Sequence, residues 1–274
     1  MRNTLITLAL SALLFIGCGG ETSTGQNINK SGKTLEKRFA PPSGYTRIPV
    51  KANSFASYLR NLPLKPAGSK VKYYDGRIKE DDAYEAVVDM DISKKDLQQC
   101  ADATMRLRGE YLYSIKAFDK INFTLTNGFK MPYSKWMEGY RVSVNGNKTD
   151  WVKKSSPSNT YSDFRKYMDF VFAYAGTQSL TQSLHNKSVK DMAIGDIFIK
   201  GGFPGHAVII VDMAQNKAGK KVFMLAQSYM PAQETQILKN VSPRKQSPWY
   251  DGDIGSSLVT PEYLFTTAKL MSWE

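Results

Sequence analysis

Apolar positions along the chain switch between a three-to-four-residue period and strict alternation, and these switches predict the elements. Regular apolar spacing begins near Gly44, with Tyr45, Ile48, Val50, Phe55 and Leu59, and Pro63, Pro66 and Gly68 then break the chain into turns. Short strands are predicted over 71–74, closed by Asp75-Gly76, and over 86–92. Ser93-Lys94-Lys95-Asp96 reads as a helix start, a capping serine with an acid three residues on. The helix is predicted to run to about Tyr113, with Leu97, Cys100, Ala101, Thr104, Leu107 and Tyr111 on one stripe. That start puts Cys100 about two turns inside, facing the core, and Arg106 four residues from Glu110, a spacing at which they pair.

Alternation over 121–126 ends at Asn127-Gly128, and alternation over 140–144 ends at Asn145-Gly146, the turn dipeptides of antiparallel hairpins. A second helix is predicted from Thr160 to Gly176, with Asp163 in its first turn and Phe164, Tyr167, Met168, Val171 and Phe172 inward. Strands follow over 196–200, 207–213 and 222–228, the last two joined by a turn over 217–220. A loop over 243–257 then leads to a short final helix near Pro261. Helices early and strands late imply the α+β class, helices packed on an antiparallel sheet.

The first residues carry an export pattern. Met1-Arg2-Asn3 is a basic start, and the apolar run over 5–16 is too short to span a bilayer, which takes about 20 residues. It ends in Leu14-Phe15-Ile16-Gly17-Cys18, which resembles a lipobox with Phe15 where leucine is usual. The resemblance implies a lipoprotein signal peptide over 1–18, with lipid on the Cys18 thiol holding the protein to a membrane of the cell envelope. Residues 19–43, rich in Gly, Ser, Thr, Asn and Lys, read as a flexible tether, and 44–274 as a single globular domain.

Of the 274 residues, 42% are hydrophobic and 12% aromatic, enough for a packed core and too many for a disordered chain. The formal charge of +12 suits anionic surroundings such as headgroups or acidic wall polymers. The lysines are scattered rather than blocked, which argues against nucleic acid. With Cys18 committed to lipid, Cys100 has no cysteine left to pair with. Two histidines and few clustered ligands argue against a metal, and nothing in the chain asks for a cofactor.

Chemistry concentrates after Gly195. Gly195-Asp196 opens one strand, the corner Gly201-Gly202-Phe203-Pro204-Gly205 precedes His206 and the strand after it, and Gln227-Ser228 closes the next. This stretch resembles the papain-like cell-wall peptidases of the NlpC type. There, a Gly-Asp corner leads into a strand, a Gly-His pair supplies the general base, and a polar residue on the following strand orients the imidazole. The resemblance implies a papain-like fold with His206 as base and Gln227 as orienting residue.

In that family the nucleophilic cysteine begins the helix before the Gly-Asp corner, and the matching position here is Phe164, which has no nucleophilic atom. Cys100 on the earlier helix is the alternative nucleophile, against a reading of it as an inert buried thiol. Ser162 is another, against a capping or solvent-facing role. Ser228, Tyr229 and Gln233 are candidate binding residues with Arg106, and His185 reads as exposed.

A longer match runs through Pro42-Ser43-Gly44-Tyr45, Asn61-Leu62-Pro63-Leu64-Lys65-Pro66, Tyr74-Asp75-Gly76, Asp96-Leu97-Gln98-Gln99-Cys100-Ala101-Asp102, Pro204-Gly205-His206-Ala207-Val208 and 226–233. These segments resemble an uncharacterised family of lipoproteins from Bacteroidetes. Three functions remain open: an envelope cysteine hydrolase cleaving amide bonds in peptidoglycan peptides, with Cys100, His206 and Gln227 catalytic; an inactive module on the same scaffold that binds wall peptide or glycan; and a structural envelope protein.

Overall fold

The structure, a computed structural model, describes residues 28–242, 247–266 and 269–273. The expected signal peptide and Cys18 lie outside the described residues. Among the described residues the α-helices are α1 (Leu35–Arg38), α2 (Phe55–Arg60), α3 (Cys100–Ser114), α4 (Tyr133–Met137), α5 (Tyr161–Tyr174) and α6 (Thr177–Ser183). The strands are β1 (Tyr45–Arg47), β2 (Tyr84–Val87), β3 (Asn122–Thr124), β4 (Lys130–Pro132), β5 (Tyr140–Asn145), β6 (Lys148–Lys153), β7 (His185–Lys187), β8 (Ile197–Lys200), β9 (His206–Asn216), β10 (Lys221–Gln227), β11 (Gln236–Leu238), β12 (Tyr250–Asp251), β13 (Leu258–Val259), β14 (Leu264–Phe265) and β15 (Leu270–Ser272).

The main sheet is antiparallel, in the order β2-β11-β10-β9-β8-β15-β7, with β1 added to the far half of β9 and β12 to β10. Its central strands bury both faces, which is why 206–214 is a nearly unbroken apolar run rather than an alternating one. Ala207, Ile209 and Val211 join Ala101, Met105, Leu107 and Phe164 in one core. Val208 and Ile210 join Phe198, Phe223, Leu225, Leu258, Phe265 and Leu270 in a second core on the other face. The chain is thus a mixed fold of helices and antiparallel sheets, as the periodicities imply.

One buried charge cluster ties the N-terminal segments to the sheet. The Asp212 carboxylate accepts from Arg47 Nε and Arg60 Nε, each at 2.7 Å, and is fully buried.

Several expectations need correction. The helix expected from Ser93 begins at Cys100. Ser93 Oγ accepts only from Lys95 N–H in a local turn, while Asp96 is drawn away by tertiary contacts: its carboxylate accepts from the Ala232 backbone N–H at 2.6 Å and from Gln99 Nε2 at 3.2 Å. The true N-terminus forms where the Asp102 carboxylate accepts from Gln99 N–H at 3.0 Å. Part of the tether expected over 19–43 is packed, since α1 and its flanks bury Leu35 and Phe39 in the core. Only isolated bridges form within 71–74, where Lys72 pairs with Ile78 and Tyr73 with Gln233. No final helix forms near Pro261; β13 and β14 make a hairpin there, closed by Thr260, whose Oγ1 accepts from Tyr263 N–H.

Candidate active site

The corner before β9 is made by close approach. A Cβ on Gly205 would stand 2.3 Å from the Gly202 carbonyl oxygen and 2.4 Å from Thr177 Oγ1, so no larger residue fits. The chain leaves this corner directly into His206 at the first position of β9. Pairing of Ala226 with Ile209 brings the end of β10 beside the start of β9. Gln227 Oε1 consequently lies 2.7 Å from His206 Nε2, and both side chains are buried.

Cys100 reaches the same place from the other core. It is the first residue of α3, not two turns inside it, and α3 packs on β9. The backbone amides of Ala207, one residue beyond His206, and of Ala101 and Cys100 itself act to lower the thiol pKa, against its burial. The Tyr229 ring meets the His206 ring edge-on at 4.8 Å. His206, Gln227 and Tyr229 share one small region, and α3 brings Cys100 to the strand that His206 opens, although the two residues are 106 positions apart in sequence.

Burial sets the protonation of the pair. Cys100 is 6% exposed, and its thiol is pushed up to about 11, first by desolvation and then by Asp102, against the pull of the three amides. His206 is 1% exposed and pushed down to about 4 by desolvation, only partly offset by its bond to Gln227; Lys79 adds to the lowering. Thiol and neutral imidazole are the resting forms. Among the described residues no group, the Cys100 thiol included, hydrogen-bonds the buried His206 Nδ1. Asp102, fully buried, is raised well above the usual carboxylate range by desolvation.

The other candidates are placed as follows. Phe164 stacks on Tyr113 at 4.5 Å in the core, so α5 supports the site and α3, not α5, presents a thiol. Ser162 is exposed in the first turn of α5, and His185 is exposed on the edge strand β7. Arg106, expected as a binding residue, is 1% exposed and is held by Glu110 at 2.6 Å, Gln98 at 3.0 Å, Asp91 and Tyr161. Ser228 is buried against Thr235 at 3.1 Å and Gln233 is buried too, which leaves half-buried Tyr229 as the member of that set able to meet a ligand.

Residues not anticipated complete the surroundings. Tyr263 and Phe265 pack on the imidazole with ring centroids at 4.8 and 5.8 Å. Glu262 accepts from Gln227 Nε2 at 2.6 Å, and Lys79 accompanies it. Nothing local in Thr260-Pro261-Glu262 announces this, because the contact spans 35 positions. Among the described residues, no three His, Cys, Asp or Glu side chains group as a metal site.

A family described as Domain of unknown function (4846) matches residues 35–272. No curated protein and no solved structure matches the chain.

Proposed function

We infer that the chain, which belongs to the family described as Domain of unknown function (4846), is a papain-like cysteine hydrolase cleaving amide bonds. One observation carries the reading: α3, which begins at the Cys100 thiol, packs on the strand that opens at His206, an imidazole whose Nε2 is tied to Gln227 and whose Nδ1 is unpartnered. Residues of these three types are those of a thiol nucleophile, its base and the group that orients the base.

In the acylation step the Cys100 sulfur attacks the carbonyl carbon while His206 Nδ1 takes the thiol proton. With the thiol near 11 and the imidazole near 4, proton transfer accompanies attack instead of preceding it as a stable ion pair. The N–H groups of Cys100 and Ala101, at the start of α3, stand where a helix dipole favours the developing oxyanion. Collapse of the adduct breaks the C–N bond, and the proton on Nδ1 passes to the leaving amine. Water activated by the same nitrogen then frees the acyl group as a carboxylic acid and restores the thiol.

The substrate class we propose is peptidoglycan peptide, met in the cell envelope by a lipid-anchored protein. The lipobox-like run ending at Cys18 and the formal charge of +12 support that setting, since the wall and headgroups are anionic. The test is digestion of purified peptidoglycan by the full chain, alongside Cys100→Ala and His206→Ala, with released fragments read by mass spectrometry. Peptides released by wild type alone are the expected result, and the fragment masses name the bond cut.

Burial favours a second reading, an inactive wall-binding module, because both reacting side chains are closed off in this conformation. Wall material retained by the protein with no fragment released, from wild type and variants alike, would select it.

A further inference from the structure

The carboxylate of Glu262, partly buried, faces a set of donors. Its Oε2 accepts from Gln227 Nε2 at 2.6 Å and from Gln236 Nε2 at 3.1 Å, and its Oε1 accepts from Lys79 Nζ at 2.6 Å. Lys79 is itself 1% exposed, with Asp81 a looser second partner at 3.5 Å. An ionised carboxylate can only accept, so Gln227 must turn its NH2 toward Glu262 and its oxygen toward the imidazole. An oxygen at 2.7 Å from His206 Nε2 requires a proton on Nε2, which leaves the lone pair on Nδ1, the nitrogen without a partner. Tyr229 and Tyr263 also pack on this ring.

We propose that Glu262, braced by Lys79, is a positioning residue that sets the tautomer of His206 through the side-chain amide of Gln227. Resting on the hydrolase reading, this makes the Lys79–Glu262–Gln227 chain the device that keeps the basic nitrogen of His206 available to Cys100. The tautomer itself does not depend on that reading. The Gln227 amide has two faces of nearly the same shape and opposite polarity, and a carboxylate neighbour held by a lysine is what tells them apart.

Glu262→Gln reverses the logic with almost no change of shape. Its one oxygen is claimed by Lys79, which can only donate, so its NH2 faces the amides of Gln227 and Gln236. Gln227 then flips to avoid opposing donors, presents its own NH2 to His206 Nε2, and drives the ring proton to Nδ1.

The experiment is 15N NMR of the full chain labelled at histidine, which holds only two imidazoles, His185 serving as the internal control. Wild type at pH 7 is expected to show His206 protonated at Nε2. Glu262→Gln is expected to show Nδ1–H as the major form, with the His185 signal and far-UV circular dichroism unchanged. Alkylation of Cys100 by iodoacetamide at pH 7.5 should fall at least tenfold in the same variant. Glu262→Asp, still acceptor-only, should keep the wild-type tautomer.

A Glu262→Gln protein with the wild-type tautomer overturns the proposal. Should that variant not fold, Glu262→Ala serves in its place: loss of a single tautomer is the expected result, and a preserved Nε2–H form again overturns it. A tautomer switch in Glu262→Gln together with a wild type that releases no peptide from the wall separates this proposal from the hydrolase reading, which alone would then fail.

Discussion

Acid should destabilise this protein through His206 by an amount that can be read from its burial. The imidazole is pushed down to about 4 in the fold, against 6.5 when free, so between those values the unfolded chain binds a proton that the folded chain refuses. Stability therefore rises with pH across that window, and its contribution is lost as pH falls from above 6.5 toward 4. A displacement of this size corresponds to about 3 kcal/mol between pH 7.5 and pH 4, a large part of the 5–15 kcal/mol typical of a domain. Asp102 works in the opposite sense. Its raised value means the fold holds a proton that the unfolded chain releases, so its contribution fades as pH rises above the usual carboxylate range.

The clean measurement is therefore a difference. Urea unfolding of wild type and His206→Gln at pH 7.5, 5.5 and 4.0 gives two stability curves whose separation cancels Asp102 and every other shared group. The wild type should lose about 3 kcal/mol more than the variant on acidification. Equal losses would refute the argument, because they would mean that the His206 ring is as easily protonated in the fold as outside it.

Asp212→Asn should cost about 3–5 kcal/mol in urea unfolding at pH 7.5, since Arg47 and Arg60 would lose the charge between them; a loss under about 1 kcal/mol would mean that the cluster is not needed. Gly205→Ala should cost roughly 1–3 kcal/mol, seen as a lowered Tm by calorimetry, because the added carbon meets the Gly202 carbonyl at 2.3 Å. An unchanged Tm would show that the corner can relax. Tyr229→Ala should speed alkylation of Cys100 by about tenfold, the effect of taking about 1.4 kcal/mol from the opening needed to reach the thiol, with adduct formation followed by mass spectrometry. An unchanged rate would mean that access runs elsewhere.

Local signals sufficed wherever an element is stabilised by its own neighbours. The α5 helix starts at the capping Thr160, the hairpin turns sit at Asn127-Gly128 and Asn145-Gly146, and the strands around 197–227 follow from β-branched runs between turn residues. Capping, turn dihedrals and side-chain period act over a few residues, so sequence alone determines them. The glycine corner before His206 was legible for the same reason, since close backbone approach demands a residue without a side chain.

Tertiary structure decided what depends on competition between distant groups. Ser93 and Asp96 make an acceptable helix start in isolation, but Asp96 gains a bond to Ala232, 136 positions away, and the helix begins at Cys100 instead. That shift of register turns an interior thiol into an N-terminal one beside Ala207. Arg106, Ser228 and Gln233 offered polar groups that read as binding residues, and the fold buries each of them. Glu262 and Lys79 gave no local sign at all. The physical reason is common to these cases: a polar side chain takes its role from the partner that satisfies it once water is excluded, and only the packed chain chooses that partner.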